Sequence, residues 1–522
     1  MHDPVLAREA LDALPAHLRE SHLVSPDLAP VPARGRTWST YNFAALWISM
    51  AHCIPTYMLA GGLIASGMSW LQALVTIGLG NVIVLVPILL NAHPGTKYGI
   101  PFPVLARASF GTAGAQIPAL ARAFVACGWF GINTVIGGEA LRTFVTTFWP
   151  GYDALGGGFE FFGLPFPNLV CFLAFWGLNM WVVLRGMEAV RVFENWAAPV
   201  VLVLAGLLLG WMTSEAGGLG PLFDRPSKYP TLAEFWPVFV PALTGMVGFW
   251  ATLSLNIPDF TRFGASQRAQ LLGQTLGLPT TMIGFSLMAV VITSASAVVL
   301  PGVDPSTLWD PQVVLAHLTR DVAPPGRDAP IIASAGLRAV VAVVAMLGVV
   351  IATVSVNVAA NVVSPANDFA NVAPKKISFE RGALITGLLG IACLPWKLLA
   401  NPKTYIDGWL IGYSALLGPI AGILIADYFF LRKTQLDVAA LYDPDGPMRG
   451  TNKAAVGALL VAVLLHLPGF LRGIGLRSGE PDVFDAMYPY AWFTGTAVAA
   501  VLYVALSRVL GAPRAVAAVE AR

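Results

Sequence analysis

Amides and tryptophans are the residues best able to recognise a solute in a chain that is otherwise apolar. Trp129 and Asn133 are four residues apart, so a helix would place both on one face. An indole stacks on a flat ring, and a primary amide supplies a hydrogen-bond donor and an acceptor. The pair therefore suits a planar heterocycle. An interfacial tryptophan beside an amide that links two helices would give the same spacing.

A second aromatic pair, Phe249 and Trp250, precedes the helix-breaking sequence Asn256 to Asp259. Its indole could close a sandwich around a flat ring together with Trp129. The alternative interpretation is that Trp250 packs against lipid or against the protein core.

A third polar group lies on one predicted helix that contains Asn357, Asn361 and Ser364. At about 100° per residue these three side chains share one side, whereas Ala352 and Ser355 point another way. Two amides within a span must face protein or water rather than lipid. The helix could thus serve both a solute and an ion, or its amides could simply hydrogen-bond to neighbouring helices.

Ionisable side chains inside apolar segments are functional candidates, because burying a charge in a bilayer is costly. His52 lies near a proline and could titrate near neutrality, or it could be a paired structural histidine. Glu139 could pair with Arg142, which is three residues further on. We expect Asp427 and His466 to lie at helix ends that meet water.

Helices that cross a membrane must position these residues. The chain has 522 residues, of which 56% are hydrophobic and 11% are charged, against roughly 25% charged in a globular protein. Its mean hydropathy is +0.69. The apolar residues form about twelve runs near the ~20 residues that cross a bilayer as a helix. These values predict an all-α, multi-pass membrane protein and exclude a set of soluble domains.

Several function classes are disfavoured by what the sequence lacks. It contains no metalloprotease, nucleophile-elbow, Walker or kinase motif, so we expect neither an enzyme nor an ATP-driven pump, and no cofactor. The net charge of +2 and the lack of a basic block argue against a nucleic-acid partner. The cysteines form no CxxC pair and predict packing residues rather than disulfides or a metal site: Cys53, Cys127, Cys171 and Cys393.

The loops carry an asymmetric distribution of positive charge. Lysine and arginine are about twice as frequent on one predicted side of the membrane as on the other. Because both termini fall on the richer side, the sequence predicts a multi-pass protein of the cytoplasmic membrane with cytoplasmic N and C termini.

Two segments carry helix breakers at corresponding places. The first reads Ala51 to Pro55 and the second reads Asn256 to Asp259, five segments later. A broken helix is tolerated in a bilayer only where protein encloses it, and paired breaks in two halves indicate a transporter with inverted repeats. The freed N–H and carbonyl groups could bind a solute and a cation. Chance is the alternative, since proline is common in membrane helices.

Several runs of this sequence resemble the nucleobase:cation symporter-1 family, which includes hydantoin, allantoin, uracil and cytosine permeases. The runs are Ala44–Trp47, Ile54–Tyr57, Trp129–Gly131, Asn256–Arg262, Asn357–Asn361 with Ser364-Pro365, Gly418–Gly422 and Asp427–Phe429. They spread over about residues 36–433. The resemblance implies a LeuT-type fold of about twelve helices, in which helices 1–5 and 6–10 are inverted repeats and helices 1 and 6 are broken.

The resemblance also implies a division of the chain. A cytoplasmic N-terminal segment, a transporter core, two further helices and a cytoplasmic tail would occupy residues 1–38, 39–433, 434–511 and 512–522. Within the core, the inverted repeats would cover about residues 39–215 and 234–431.

Roles in solute binding are implied by the same resemblance. The candidates are the stacking Trp129 and Trp250, the polar Asn133, Asn361 and Asn357, and the backbone at Phe249. Family members often have glutamine where Asn133 stands. The shorter amide keeps the same donor and acceptor but retracts them, which we interpret as room for a bulkier substituent, such as that of allantoin.

A cation site is implied at residues of helices 1 and 8, namely Ser49, His52, Ala352 and Ser355. Sodium-coupled relatives have a second hydroxyl where this chain has Val356, so one expected Na⁺ ligand is missing. Losing a ligand from a hard-cation site weakens binding. With His52 beside the site, we favour coupling to H⁺ over coupling to Na⁺.

The sequence therefore predicts a monomeric symporter that imports a nucleobase or related cyclic ureide. The alternative on the same scaffold is an amine or amino-acid permease, which would need a partner for the charge of its solute. An intramembrane enzyme or a channel would need paired acids, a nucleophile with its base, or a repeated filter, and the sequence contains none of these.

Overall fold

A computed structural model gives the architecture of the chain. It describes residues 4–185, 187–219, 226–305, 307–399 and 404–511, so the predicted tail 512–522 lies outside the described residues. The described part is almost entirely helical.

The first half of the chain contains eleven of the α-helices that we number. These helices are α1 (Pro4–Asp12), α2 (Ala16–Arg19), α3 (Thr40–Ala51), α4 (Ile54–Ala65), α5 (Trp70–Tyr98), α6 (Phe102–Phe110), α7 (Gln116–Phe148), α8 (Phe166–Leu184), α9 (Met187–Glu215), α10 (Leu232–Phe249) and α11 (Ala251–Asn256). A two-stranded antiparallel hairpin, β1 (Glu160–Phe161) and β2 (Leu164–Pro165), connects α7 to α8.

The second half continues with eleven more helices. These helices are α12 (Pro258–Thr261), α13 (Gln267–Val299), α14 (Pro311–Thr319), α15 (Ala335–Asn361), α16 (Val363–Val372), α17 (Phe379–Ala392), α18 (Pro395–Leu398), α19 (Thr404–Leu431), α20 (Lys453–Gly473), α21 (Val483–Met487) and α22 (Ala491–Leu510).

The described residues contain nine helices that are long and apolar enough to span a membrane, or ten if the bent pair of α3 and α4 is one span. Helix α17 has only 14 residues, and an apolar stretch of α9, Leu202–Glu215, is also short of a full span. The all-α membrane class predicted from composition is confirmed. The count of twelve spans stays a prediction.

The first span bends by 60° between α3 and α4. Helix α3 ends at Ala51, and Cys53 is extended, with φ −135° and ψ 158°. Pro55 follows in the first turn of α4. Proline has no N–H to donate and fits the start of a helix, so its position favours a new helix here rather than continuation of the old one. The bend lies within the predicted segment from Ala51 to Pro55.

A second interruption lies between α10 and α11, earlier than the breakers between Asn256 and Asp259 suggested. Helix α10 ends at Phe249, and Trp250 has φ −105° and ψ 9°. The carbonyl of Gly248 accepts a hydrogen bond from the Tyr413 hydroxyl at 2.7 Å, so a side chain of α19 occupies a helix carbonyl at this point. Between α11 and α12 the backbone stays helical, with Ile257 at φ −52° and ψ −29°, so Pro258 does not produce the break that was predicted from Asn256 to Asp259.

Helix α7 runs through the interior and packs against α8, α15, α16 and α17. Helix α13 packs against α3, α4, α5 and α9, while α19 packs against α10, α20 and α22. The two broken regions and the middle of α7 and α15 are therefore enclosed by other helices, which is the environment that unpaired backbone groups require in a bilayer.

The N-terminal segment, predicted as residues 1–38, packs against the helices that follow it. Leu28 is fully buried, and its carbonyl accepts a hydrogen bond from the Tyr442 hydroxyl at 2.6 Å. The carbonyl of Asp27 accepts one from the Arg262 guanidinium at 2.7 Å. These contacts tie the start of the chain to α12 and to the loop before α20.

The expectation that Asp427 meets water at a helix end is wrong. Its side chain is buried and pairs with Arg432, Nε to Oδ2, at 2.6 Å. It also accepts hydrogen bonds from the Tyr503 hydroxyl at 2.7 Å and the Ser109 hydroxyl at 3.2 Å. Helices α6 and α22 cover this end of α19, a tertiary contact that hydropathy does not reveal.

The same expectation for His466 is also wrong. His466 is fully buried in α20, where Nδ1 is 2.8 Å from the Ala462 carbonyl and Nε2 is 2.7 Å from the Thr494 hydroxyl. Glu139, by contrast, contacts Arg142 at 3.3 Å, as its spacing indicated, and also accepts a hydrogen bond from Asn168. The four cysteines are free.

We predict that Arg432→Ala strongly destabilises the protein, because it leaves the Asp427 carboxylate buried without its partner. Removing one member of a buried ion pair costs about 3–5 kcal/mol. Arg449→Ala is the matched control, because Arg449 and its partner Asp445 are both largely exposed and such a pair contributes about 0–1 kcal/mol. Thermal unfolding of the detergent-purified variants measures both effects. Equal midpoints for the two variants would contradict the prediction.

Candidate functional site

A small enclosed cavity lies where the two interrupted helices meet α7 and α15. Its volume is about 30 Å³. Five of the six residues predicted to bind a solute line it, namely Trp129, Asn133, Phe249, Trp250 and Asn361. A cavity of this size has room for about one or two water molecules. The structure therefore brings the predicted residues together in a contracted arrangement that must open before a ring can enter.

The aromatic side chains of the site are packed edge to face. Phe249 contacts Trp129 with ring centroids 5.3 Å apart and Trp250 with ring centroids 4.9 Å apart. Trp250 in turn contacts Trp47 at 5.1 Å, and Trp129 contacts Trp409 at 6.0 Å. Each indole is thus held by a neighbouring ring. The predicted open sandwich between the two indoles is not formed in this contracted state.

The two amides that line the cavity each donate a hydrogen bond from their NH₂ group to another group of the protein. Asn133 donates from Nδ2 to the Trp129 carbonyl at 3.1 Å, and its buried Oδ1 has no hydrogen-bond partner within the described residues. Asn361 donates from Nδ2 to Asn357 Oδ1 at 3.1 Å. Asn357 is fully buried and does not line the cavity, so its contact with the site runs through Asn361.

Sequence reasoning missed a buried polar layer next to the cavity. The Arg122 guanidinium lies 3.4 Å from the Asp368 carboxylate, and both side chains are fully buried. In the amide orientation that pairs both of its atoms, Asn256 accepts hydrogen bonds from Ser364 at 2.6 Å and from Arg122 at 3.0 Å. A charged residue within a long apolar segment was the available signal for Arg122.

Cys53, Met50 and Thr252 also line the cavity and were not predicted to do so. Cys53 and Thr252 lie beside the two helix interruptions, so their positions follow from the breaks. The residue types alone gave no indication of this role.

The predicted cation residues lie where α3 approaches α15. The Ser49 and Ser355 hydroxyl oxygens are 3.4 Å apart. Ala352 and Ser355 are buried, and Val356 lines the solute cavity. These residues bring two hydroxyl groups together, and Val356 supplies no further side-chain oxygen.

His52 lies at the end of α3, where Nδ1 is hydrogen-bonded to the Ile48 carbonyl. Its ring meets Phe285 edge to face with centroids 5.0 Å apart. Together with Ala352 it lines a separate apolar cavity of about 430 Å³ between α4, α9, α13 and α15. Among the residues that the structure describes, no group of three or more His, Cys, Asp or Glu side chains could hold a metal ion.

Comparison with known proteins places this site in a family. Residues 30–495 match the family model described as permease for cytosine/purines, uracil, thiamine, allantoin. The chain is 40% identical over 495 residues to the allantoin permease of Bacillus subtilis (strain 168), covering 94% of each chain. The chain belongs to the nucleobase:cation symporter-1 family. It is also 40% identical to the purine-uracil permease NCS1 of Arabidopsis thaliana, covering 94% of this chain and 78% of that protein.

The fold of this nucleobase:cation symporter-1 chain is shared with a solved member of the family. Mhp1, in a closed conformation with bromovinylhydantoin bound, has a TM-score of 0.70 and 23% identity, covering 94% of this chain and 96% of that one. An inward-facing structure of Mhp1 has a TM-score of 0.73. The LeuT-type fold class predicted from the resemblance is confirmed. The relatives are named permeases, which is a class of transport protein rather than of enzyme.

We predict that Gly131→Ala disturbs the site by pushing α7 away from α17. A Cβ atom at Gly131 would lie 2.5 Å from the Gly390 carbonyl oxygen, a backbone atom that cannot rotate away. Overpacking of this kind costs about 1–3 kcal/mol and would displace the α7 residues that carry Trp129 and Asn133. Lower thermal stability of the purified variant is the expected result.

Gly177→Ala is the matched control for this helix glycine, because a Cβ atom there would meet nothing within 4 Å. Alanine is favoured over glycine inside a helix by about 0.5–1 kcal/mol, so the control should be neutral or slightly stabilising. A Gly131→Ala variant as stable as Gly177→Ala would show that the close approach of the two helices is not required.

Proposed function

We propose that this protein is a secondary symporter that imports a nucleobase or a related cyclic ureide across the cytoplasmic membrane. The observation that carries the proposal is the meeting of Trp129, Trp250, Asn133 and Asn361 around one cavity between two interrupted helices. Aromatic faces and amide edges are complementary to a flat, neutral ring with polar edges. The names of the relatives, allantoin permease and purine-uracil permease, point to the same class of solute.

The charge of the site favours a neutral solute over an amine or an amino acid. No Asp, Glu, Lys, Arg or His is among the described residues that line the cavity. The nearby Arg122 and Asp368 already neutralise each other. A charged solute would enter this enclosed space without a partner, at a high desolvation cost.

Transport requires that the contracted cavity open to each side of the membrane in turn. At about 30 Å³ the cavity does not admit a heterocycle, so binding must select or create a wider state. Mhp1, which shares the fold, is known in closed and inward-facing conformations. Alternating access around the two helix interruptions is therefore the mechanism that we assign to this protein.

We assign H⁺ rather than Na⁺ as the coupling ion. Ser49 and Ser355 are close together, but Val356 supplies no oxygen to a third side-chain position. Na⁺ is a hard cation that leaves water only for a sufficient set of oxygen ligands. His52 is buried at the end of α3, three residues after Ser49, and its imidazole is the one ionisable side chain among the four predicted cation residues.

The membrane location, the topology and the oligomeric state of the protein can also be proposed. The excess of lysine and arginine on one side supports cytoplasmic N and C termini in the cytoplasmic membrane. We also propose that the protein works as a monomer.

We predict that Trp129→Ala and Trp250→Ala each abolish most uptake. Stacking of a base on an aromatic side chain is worth about 1–3 kcal/mol, so the solute should bind about tenfold more weakly or worse. Cells that express each variant are tested with radiolabelled uracil, hydantoin and allantoin, with L-phenylalanine as a competitor. Trp181→Ala, at an exposed position of α8, is the control for loss of a tryptophan.

Uptake of a heterocycle by the wild-type protein and by Trp181→Ala, with loss in both site variants, would support the proposal. Competition by L-phenylalanine but by none of the heterocycles would instead favour the amino-acid permease. Wild-type cells that accumulate none of the heterocycles above background would refute the proposed solute class.

We predict that wild-type uptake follows a proton gradient and is insensitive to Na⁺, and that Val356→Thr gains stimulation by Na⁺. The added hydroxyl would supply the oxygen that the site lacks. Uptake is measured with and without Na⁺ at fixed pH, and then across a pH step. Val354→Thr is the matched control, because Val354 is buried on another face of α15 beside Phe130. A requirement for Na⁺ in the wild-type protein would overturn the assignment of H⁺.

A further inference from the structure

Three asparagines form a continuous hydrogen-bonded chain that ends at the solute cavity. Asn179 of α8 donates from Nδ2 to the Phe175 carbonyl at 2.8 Å. Asn357 of α15 donates from Nδ2 to Asn179 Oδ1 at 3.2 Å. Asn361 donates from Nδ2 to Asn357 Oδ1 at 3.1 Å. Only the last of the three lines the cavity, and Asn179 and Asn357 are fully buried behind it.

The direction of this chain is fixed by backbone carbonyls, which can only accept hydrogen bonds. The Phe175 carbonyl faces the NH₂ group of Asn179, which turns the oxygen of that amide toward Asn357. The NH₂ group of Asn357 also lies 3.3 Å from the Phe130 carbonyl, which turns its oxygen toward Asn361. Reversing any one amide would bring two acceptors or two donors face to face in a buried place, where unpaired polar groups are costly.

The fixed direction of these hydrogen bonds determines the orientation of the Asn361 amide at the cavity. One N–H of its NH₂ group is donated to Asn357, and within the described residues no hydrogen bond reaches its oxygen atom. Asn133 is oriented in the same sense, because its NH₂ group is held by the Trp129 carbonyl and its buried oxygen is unpartnered. Each of the two amides that line the cavity therefore has an oxygen atom that accepts no hydrogen bond within the described residues and is available as an acceptor.

We infer that Asn179 and Asn357 are positioning residues that lock the Asn361 amide with its oxygen toward the solute, and that the site thereby selects solutes with a ring N–H at this edge. The inference rests on the proposed function, since it specifies how the same cavity reads its solute. A solute whose matching nitrogen is methylated leaves the locked oxygen unpaired and adds bulk against it. Without the lock, Asn361 could rotate its amide and offer its NH₂ group to an acceptor.

The test compares parent solutes with their N-methyl derivatives. Purified wild-type protein is titrated with hydantoin, 1-methylhydantoin and 3-methylhydantoin, and with uracil, 1-methyluracil and 3-methyluracil, by quenching of tryptophan fluorescence. For the parent that binds, we expect one of the two methyl derivatives to bind about tenfold more weakly or worse. The ratio of the two dissociation constants is the readout.

Asn179→Leu should lower the logarithm of this ratio to about one half of its wild-type value or less, although Asn179 does not contact the solute. Asn179→Asp, in its neutral form, keeps both the donor to Phe175 and the acceptor for Asn357 and should restore the ratio. Asn81→Leu is the control for loss of a buried asparagine, because Asn81 donates to the Ile77 carbonyl within α5, away from the cavity. It should leave the ratio unchanged.

A double-mutant cycle of Asn179→Leu with Asn361→Ala distinguishes a positioning role of Asn179 from a general loss of stability. Once Asn361 is removed, Asn179→Leu should have no further effect on the ratio, whereas a general disturbance of the fold would still change it. A wild-type ratio near one, or an unchanged ratio in Asn179→Leu, overturns the inference. If the parent solute still binds in that case, the proposed function stands. Failure of the wild-type protein to bind any parent solute overturns both.

Discussion

Backbone hydrogen bonding in a medium without water is the constraint on which this structure depends. A helix that stops inside a bilayer leaves N–H and carbonyl groups that lipid cannot pair, so protein must surround the interruption. The gap at Cys53 and the gap at Trp250 meet this requirement because α7, α15 and α19 close around them. Polar contacts in a space lined by protein are electrostatically stronger than in water. The cavity is thus a consequence of burying two interrupted helices together.

The side chains around the breaks follow the same rule. Asn133 pairs its NH₂ group with a carbonyl of its own helix, and Asn361 pairs its NH₂ group with Asn357. What remains without a hydrogen-bond partner among the described residues is the oxygen of each amide, and both residues line the small cavity. The polarity of the cavity therefore consists of the amide oxygens that the protein does not pair with its own groups, and under our proposal the N–H groups of a solute pair with them.

Buried charged side chains further from the cavity are also paired within the protein. Arg122 and Asp368 neutralise each other on helices α7 and α16, and Asp427 and Arg432 do so at the end of α19 with added hydrogen bonds from Tyr503 and Ser109. The Arg122–Asp368 pair joins two helices that are far apart in the chain, and the hydrogen bonds from Tyr503 and Ser109 join Asp427 to two other helices. Because an unpartnered charge would be very costly in this environment, they limit how the helices can separate when the cavity opens.

The sequence by itself determined the class of the protein, the family, the first helix break and five of the residues that line the cavity, because hydropathy, proline and helical spacing act locally. Only the tertiary structure decided the rest. It ended α10 at Phe249 through the hydroxyl of Tyr413, placed Asp427 and His466 in the interior, and joined Asn179 to Asn361. Each of these depends on a partner from a distant helix, and spacing along one helix carries no information about which distant side chain will face it.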